Sequence, residues 1–303
     1  MFGVNGIVIP ISAISSIFFV SLIYIIISMN QKKIYKIALF LPGFGNGGAE
    51  RVFIKLLYYL KSRGHKVDLI VASKKGVLVD RLDDDVIYLG SRYSLTSFSK
   101  YTRYIRDESP DIVMATLFGA IVVSGITKML GFTGNTHLIC RIANITHKPR
   151  GILQLTKYLL ERIALNQADG VITNSNATLD SIEDLLEKEQ NRNIVTISNP
   201  VLDDDYQKRI SDCSDIKRVR DIVIIGRFVP QKQISHAIKA FSIIKKTVTD
   251  ARLIIVGDGP ESEEIMNMIN ERNLRSEVKI IKYHDDIPSL LMSSKCMINT
   301  SLF

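Results

Sequence analysis

An arginine and a lysine five residues apart, Arg227 and Lys232, follow an apolar run, residues 222–225 (IVII), that is closed by Gly226. Such a run suits a parallel strand covered on both faces, and the loop leaving the carboxyl end of that strand is where open α/β sheets bind ligands. A guanidinium fork and an ammonium charge placed there read as a phosphate clamp. Further on the pattern returns: residues 252–256 (RLIIV) run straight into Gly257-Asp258-Gly259-Pro260-Glu261, a second tight turn at the same sheet edge.

A glycine-rich loop of the same kind lies near the start of the chain. Residues 42–48 (PGFGNGG) stand between a strand expected at 37–41 and a helix expected at 49–63, which carries Val52, Phe53, Leu56, Leu57 and Leu60 on one face. Bare backbone in that loop can approach a phosphate at the helix N-terminus. The loop also satisfies G-x-G-x-x-G at Gly43, Gly45 and Gly48, with Asp68 beyond it, so an NAD-binding Rossmann enzyme is an alternative. Against that alternative, Asp68 opens the strand at 67–72, whereas a ribose-binding acid should close it, and Pro42 directly before the first glycine is atypical.

These motifs need a frame of alternating strands and helices. Strands are expected at 86–89, 112–116, 138–143, 171–173 and 195–198, with helices at 97–106, within 120–130 and at 153–166. The last of these places Leu155, Leu159, Ile163 and Leu165 among Lys157, Glu161 and Arg162, an ordinary amphipathic helix whose cations could touch lipid. After residues 138–143 comes a polar loop, Asn144-Ile145-Thr146-His147-Lys148-Pro149-Arg150, the best candidate for an acceptor side. The second half adds a strand at 278–283, a helix at 287–294 and a strand at 297–299.

GRFVPQKQ followed by LIIVGDGPE, together with GGAER at the first loop and the NSNAT and NP segments, resembles the retaining glycosyltransferases of family 4 over residues 36–303. The resemblance implies a GT-B fold of two Rossmann-like doubly wound domains. It implies that Arg227 and Lys232 hold the diphosphate of a nucleotide sugar and act as the catalytic cations. Gly226, Gly257, Gly259 and Glu261 would border the donor from one domain, and Gly47 and Gly48 from the other. On the acceptor side, Arg141 or Lys148 would meet a lipid phosphate, and Asn144 and His147 would lie beside the incoming hydroxyl. The family needs no metal or other cofactor, the two cations doing that work. Two aspartate runs, 83–85 and 203–205, invite a D-x-D metal site, but neither leaves a strand's carboxyl end, so each reads as a solvated turn.

Composition bounds the rest. With 303 residues, 46% of them hydrophobic, the chain holds two domains, and three cysteines without CxxC spacing argue against a disulfide framework or a zinc site. A net charge of +8 points to a polyanionic neighbour. No nucleic-acid-binding signature accompanies it, so anionic membrane lipid is the expected partner. Residues 7–29 contain no charge, enough for about 34 Å of helix against a bilayer core of about 30 Å. Lys32, Lys33 and Lys36 follow at once, which puts the remainder on the cytoplasmic face of a single-pass anchor.

The domains expected are thus an anchor with basic flank at 1–35, an acceptor-side domain at 36–200, a polar linker at 201–219 and a partial nucleotide-sugar domain at 220–303. Family members run on from the segment like residues 299–303 into an E-x7-E pattern, which this sequence lacks. That leaves an edge strand and an apolar helix face to be covered by a partner, such as a complementary C-terminal segment. The reading is a hexosyltransferase-type enzyme of cell-surface polysaccharide assembly acting on a lipid-linked or saccharide acceptor, the alternative being an inactive remnant or binding partner.

Overall fold

The computed structural model describes residues 33–44, 47–74, 86–186, 193–199, 208, 210–212, 221–284 and 286–302. The expected span at 7–29, both aspartate runs and most of the linker lie outside these residues. Among the described residues no helix is long and apolar enough to cross a membrane. The chain divides into two compact units, Met1–Val201 and Leu202–Phe303.

The first unit is built on seven parallel strands: β1 (Lys36–Leu41), β2 (Lys66–Val71), β3 (Val86–Tyr88), β4 (Ile112–Thr116), β5 (His137–Ile142), β6 (Gly170–Thr173) and β7 (Asn193–Thr196). Their order is β3-β2-β1-β4-β5-β6-β7, with β1 central between β2 and β4. A sheet covered on both faces needs continuous apolar runs, and β1 is buried from Ile37 to Leu41 and β4 throughout. Helix α1 (Gly48–Ser62) covers one face with Val52, Phe53, Leu56, Leu57 and Leu60, the five residues its periodicity selects. On the other face lie α2 (Phe98–Glu108), α3 (Phe118–Met129), α4 (Ile152–Asn166) and α5 (Asn176–Ile182). There Tyr101 is wholly buried, stacks on Phe40 at 4.5 Å between ring centroids, and accepts a 2.9 Å hydrogen bond from the Ser124 hydroxyl.

Helices α3 and α4 meet through small residues. A Cβ on Gly125 would sit 2.4 Å from the Ala164 Cα, so only glycine allows this crossing. It grips α4 by its C-terminal end, where Ala164, Leu165 and Asn166 are buried. The rest of α4 departs from the sequence expectation. Ile152, Leu155, Leu159 and Ile163 are 86%, 45%, 46% and 42% exposed, and the side turned to the core carries Tyr158, Leu160 and Glu161 instead. Of the expected stripe of Leu155, Leu159, Ile163 and Leu165, only Leu165 is buried, and the other three face outward.

The second unit repeats the plan on four parallel strands, β8 (Asp221–Ile225), β9 (Arg252–Val256), β10 (Val278–Ile281) and β11 (Cys296–Met297), ordered β10-β9-β8-β11. Helices α6 (Ile234–Ile244), α7 (Ser262–Glu271) and α8 (Ile287–Ser293) complete it. Strand β11 is shorter than expected and its two residues are exposed. In each unit the chain starts a sheet at one strand, lays two strands to one side and then returns to the other. Each sheet therefore has a topological switch point, between β1 and β4 and between β8 and β11, where loops at the carboxyl edge diverge and leave a crevice.

Candidate functional site

At the second switch point the loop after β8 carries the two cations. Arg227 is exposed and, among the described residues, its side chain has no hydrogen bond or ion pair; its carbonyl accepts Val229 N–H at 3.0 Å. Lys232 closes a 3₁₀ turn (Pro230–Lys232) and is half-buried, with its Nζ donating to the Ser301 hydroxyl at 3.2 Å. The loop after β11 is tied to the same turn. The Thr300 hydroxyl donates to the carbonyls of Lys232 and Gln233 at 2.9 and 3.0 Å, and the Leu302 N–H donates to the Gln231 carbonyl at 2.9 Å. Ser301 was not among the residues the sequence singled out as a site. Its only signal was its place after a short apolar strand.

The two glycine motifs of this unit are one object. A Cβ on Gly257 would fall 1.9 Å from the Gly226 carbonyl oxygen, and one on Gly259 would fall 2.5 Å from the Phe228 carbonyl oxygen. Phe228 N–H donates to the Asp258 carbonyl at 3.0 Å, and Glu261 N–H donates to the Phe228 carbonyl at 3.1 Å. The Phe228 ring, 1% exposed in the core, anchors the pair; burying it is worth roughly 2 kcal/mol. A Cβ on Gly226 would meet only the Lys232 stem, at 3.5 Å, in ordinary contact. The Asp258 carboxylate accepts from the Ser262 hydroxyl at 2.8 Å and from Gly259 N–H at 2.9 Å, and these bonds lower its pKa. Glu261 lines a cavity of about 150 Å³ with Pro230, Gln233, Ser235 and Glu264, whose lining includes neither Arg227 nor Lys232.

At the first switch point Gly47 is the N-cap of α1, and the Glu50 carboxylate folds back over it, within 2.5 Å of where a Cβ would stand. Gly48 opens the helix with nothing within 4 Å of a Cβ position, so the fold itself does not demand glycine there. Asp68 is the third residue of β2, and its carboxylate accepts the Tyr104 hydroxyl at 2.6 Å. It is engaged in a structural bond at the middle of a strand, away from the position a ribose-binding acid would hold at the strand's end.

A crevice of about 310 Å³ beside this switch point gathers Arg141, Asn144 and His147 with Leu117, Phe118, Thr146, Lys157 and Glu161. Leu117, which precedes α3, is held at φ 67°, ψ 148°, a sparsely populated conformation for a residue with a Cβ, of the kind that clusters at functional sites. Arg141 is 5% exposed. Its guanidinium donates to the Asn199 side-chain oxygen at 2.5 Å and to the Thr116 hydroxyl at 3.4 Å, with no carboxylate partner among the described residues. Burial lowers its pKa to about 10, which leaves it charged at neutral pH. Desolvation raises the pKa of Glu161 in the same crevice. Lys148 lies outside the crevice lining and pairs with Asp184 at 2.9 Å. Among the described residues no cluster of His, Cys, Asp or Glu is arranged to hold a metal ion.

Two parallel sheets, the four strands of the second ordered like the first four of the first and each with cations at its carboxyl edge, define a protein of GT-B-like α/β fold. A solved structure of Anabaena Alr3699/HepE in complex with UDP-glucose has this fold, with a TM-score of 0.70 at 19% identity, covering 88% of this chain and 74% of that one. The chain belongs to glycosyltransferase family 4, whose model matches residues 46–204, and the model described as glycosyl transferases group 1 matches residues 207–303. The amylovoran biosynthesis glycosyltransferase AmsD of Erwinia amylovora is 24% identical over 279 residues, 89% of this chain and 75% of that protein. The poly(glycerol-phosphate) α-glucosyltransferase of Bacillus subtilis is 36% identical over 81 residues, 27% of this chain and 12% of that protein. Across these curated relatives the matched part covers from 12% to 75% of the relative's own length. Family membership replaces the NAD-binding alternative, in agreement with the bond that occupies Asp68.

Proposed function

We propose that this glycosyltransferase moves a sugar from a nucleotide-diphosphate sugar to a lipid-linked or saccharide acceptor, with retention, in the assembly of a cell-surface polysaccharide. The observation that carries the reading is the loop pair at the second switch point: Lys232 held by Ser301, and Arg227 beside it, exposed and without a partner among the described residues. As the bond to the donor breaks, negative charge collects on the leaving diphosphate while the sugar gains oxocarbenium character. A preset guanidinium and ammonium meet that charge more strongly in the transition state than in the ground state. Gly257 and Gly259, packed on Gly226 and Phe228, fix the loop that carries Arg227. Gly47 and Gly48 offer backbone N–H groups at the start of α1, provided Glu50 swings away from the anion.

On the acceptor side, Asn144 and His147 would bind the incoming hydroxyl, a role supported by their sharing one crevice. Arg141, a buried cation lining the same crevice, would meet an acceptor phosphate. The hydroxyl attacks on the face from which the diphosphate leaves, and no protein nucleophile is assigned. The polysaccharide context is supported by relatives such as AmsD, named for amylovoran biosynthesis. Residues 7–29 serve as the anchor that holds this chemistry at the cytoplasmic face.

The test is transfer of labelled sugar from a panel of nucleotide sugars into extractable lipid, with membranes carrying this chain and an Arg227→Ala control. Transfer that disappears in the control supports the reading and names the donor. No transfer from any donor, with well-expressed protein and a full acceptor pool, sinks it.

A further inference from the structure

Helix α4 turns its apolar stripe to solvent. Ile152, Leu155, Leu159 and Ile163 recur at three- and four-residue steps and so share one face, and all four are exposed, with Leu153 beside them at 76%. The opposite side is spoken for: Tyr158 and Leu160 pack on the core, and Ala164 and Leu165 lie buried against α3. The stripe is therefore not a core face displaced by a turn of the helix, since the helix already has its core face.

Exposed cations are carried on the helix and next to it. Arg150, Lys157 and Arg162 are all exposed, whereas the carboxyl of the helix, Glu161, is half-buried on the inner side. The neighbouring Asp184 is already paired with Lys148. An outward aliphatic stripe with the exposed cations Arg150 and Arg162 beside it, neither in an ion pair among the described residues, matches an interface of apolar chains beneath anionic headgroups, and it mismatches water. We propose that α4 lies in the surface of an anionic lipid bilayer, with Ile152, Leu155, Leu159 and Ile163 inserted among the acyl chains. The surface sits directly beside the crevice of Arg141 and His147, to which Lys157 and Glu161 of the same helix contribute. A phosphate at the bilayer surface would then lie within reach of that crevice.

The chain contains no tryptophan, so a single one reports its own surroundings. The full chain carrying Leu159→Trp is reconstituted into phosphatidylglycerol-containing vesicles whose acyl chains are brominated near the headgroup. Tyr58→Trp, 45% exposed on α1 over the other face of the sheet, is the control. The expected result is a blue-shifted emission from Leu159→Trp that loses most of its intensity to brominated lipid, with Tyr58→Trp unaffected and with weaker quenching in wholly zwitterionic vesicles. Unquenched emission from Leu159→Trp overturns the assignment. A blue shift without quenching also overturns it, because protein, either a second copy or the N-terminal span, would then cover the stripe. Equal quenching in both lipids removes the anionic part. The measurement uses no donor or acceptor, so its failure is separate from a failure of the transfer assay.

Discussion

The two switch points use their cations in opposite ways. Arg141, at the end of β5 in the first sheet, is buried, held by two neutral side chains and lacks a carboxylate partner among the described residues. Arg227, after β8 in the second sheet, is exposed and unpaired among the described residues. At the amino edges the picture is uniform. Asp111 accepts Lys36 N–H at 2.8 Å, Asp169 accepts Leu138 N–H at 2.7 Å, and Asp221 takes a two-pronged bond from Arg252 at 2.8 and 3.4 Å. Carboxylates there stitch strands together, whereas Arg141 and Arg227 at the carboxyl edges have no acidic partner among the described residues. A buried cation without an acid costs stability and an exposed unpaired one contributes none, so neither is explained by folding alone.

That contrast can be broken experimentally. Arg227→Ala should lower kcat/KM about 10²-fold or more while leaving the urea midpoint unchanged, because an exposed cation without partners contributes only to the charged transition state. A fall in stability as large as the fall in rate would make Arg227 structural. The fold-level counterpart is Gly257→Ala, whose methyl would meet the Gly226 carbonyl at 1.9 Å; roughly 3 kcal/mol should be lost in denaturant titration. Wild-type stability would show that the two motifs are not interlocked.

Arg141→Met sharpens the other half. Removing a buried guanidinium that no acid offsets should leave stability equal or raise it by about 1 kcal/mol, while transfer to a phosphorylated acceptor falls, seen as a higher acceptor KM. A large loss of stability would make the residue a packing element. Glu161 gives a smaller, pH-dependent effect. Its folded pKa is raised, so its contribution is fully present below the unfolded value, about 4.3, and is lost as pH rises through the folded pKa. Glu161→Gln should therefore flatten the decline in stability above that value, measured as melting temperature against pH. The smallest expected effect is at Gly48: an alanine there meets nothing and gains about 0.5 kcal/mol of helix stability, so any activity it costs reports a ligand close to the backbone.

Much of the architecture was legible in the chain. The runs that became β1, β4, β8 and β9 are apolar throughout because both faces of a parallel sheet are covered, and that demand is written locally. The glycine-terminated strand ends placed Arg227, Lys232 and the Gly257-Asp258-Gly259 turn at one edge for the same reason. Helix α1 was readable because its five apolar positions had only one face to serve. Helix α4 was not. Its sequence offers two apolar stripes, and the α3–α4 crossing through Gly125 and Ala164, a contact between residues far apart in the chain, chose which one went inward.

The same division holds for the site. Residue types and spacing determined that this chain carries glycine-rich loops and cations at the strand ends of parallel sheets, since strand period, glycine and charge are local properties. Tertiary structure alone decided that Ser301 holds Lys232, that Asp68 belongs to Tyr104, that Arg141 is buried among neutral partners, and that the stripe of α4 faces outward. Each of these is a meeting of residues separated in sequence, fixed by strand order and close packing, and no local pattern records it.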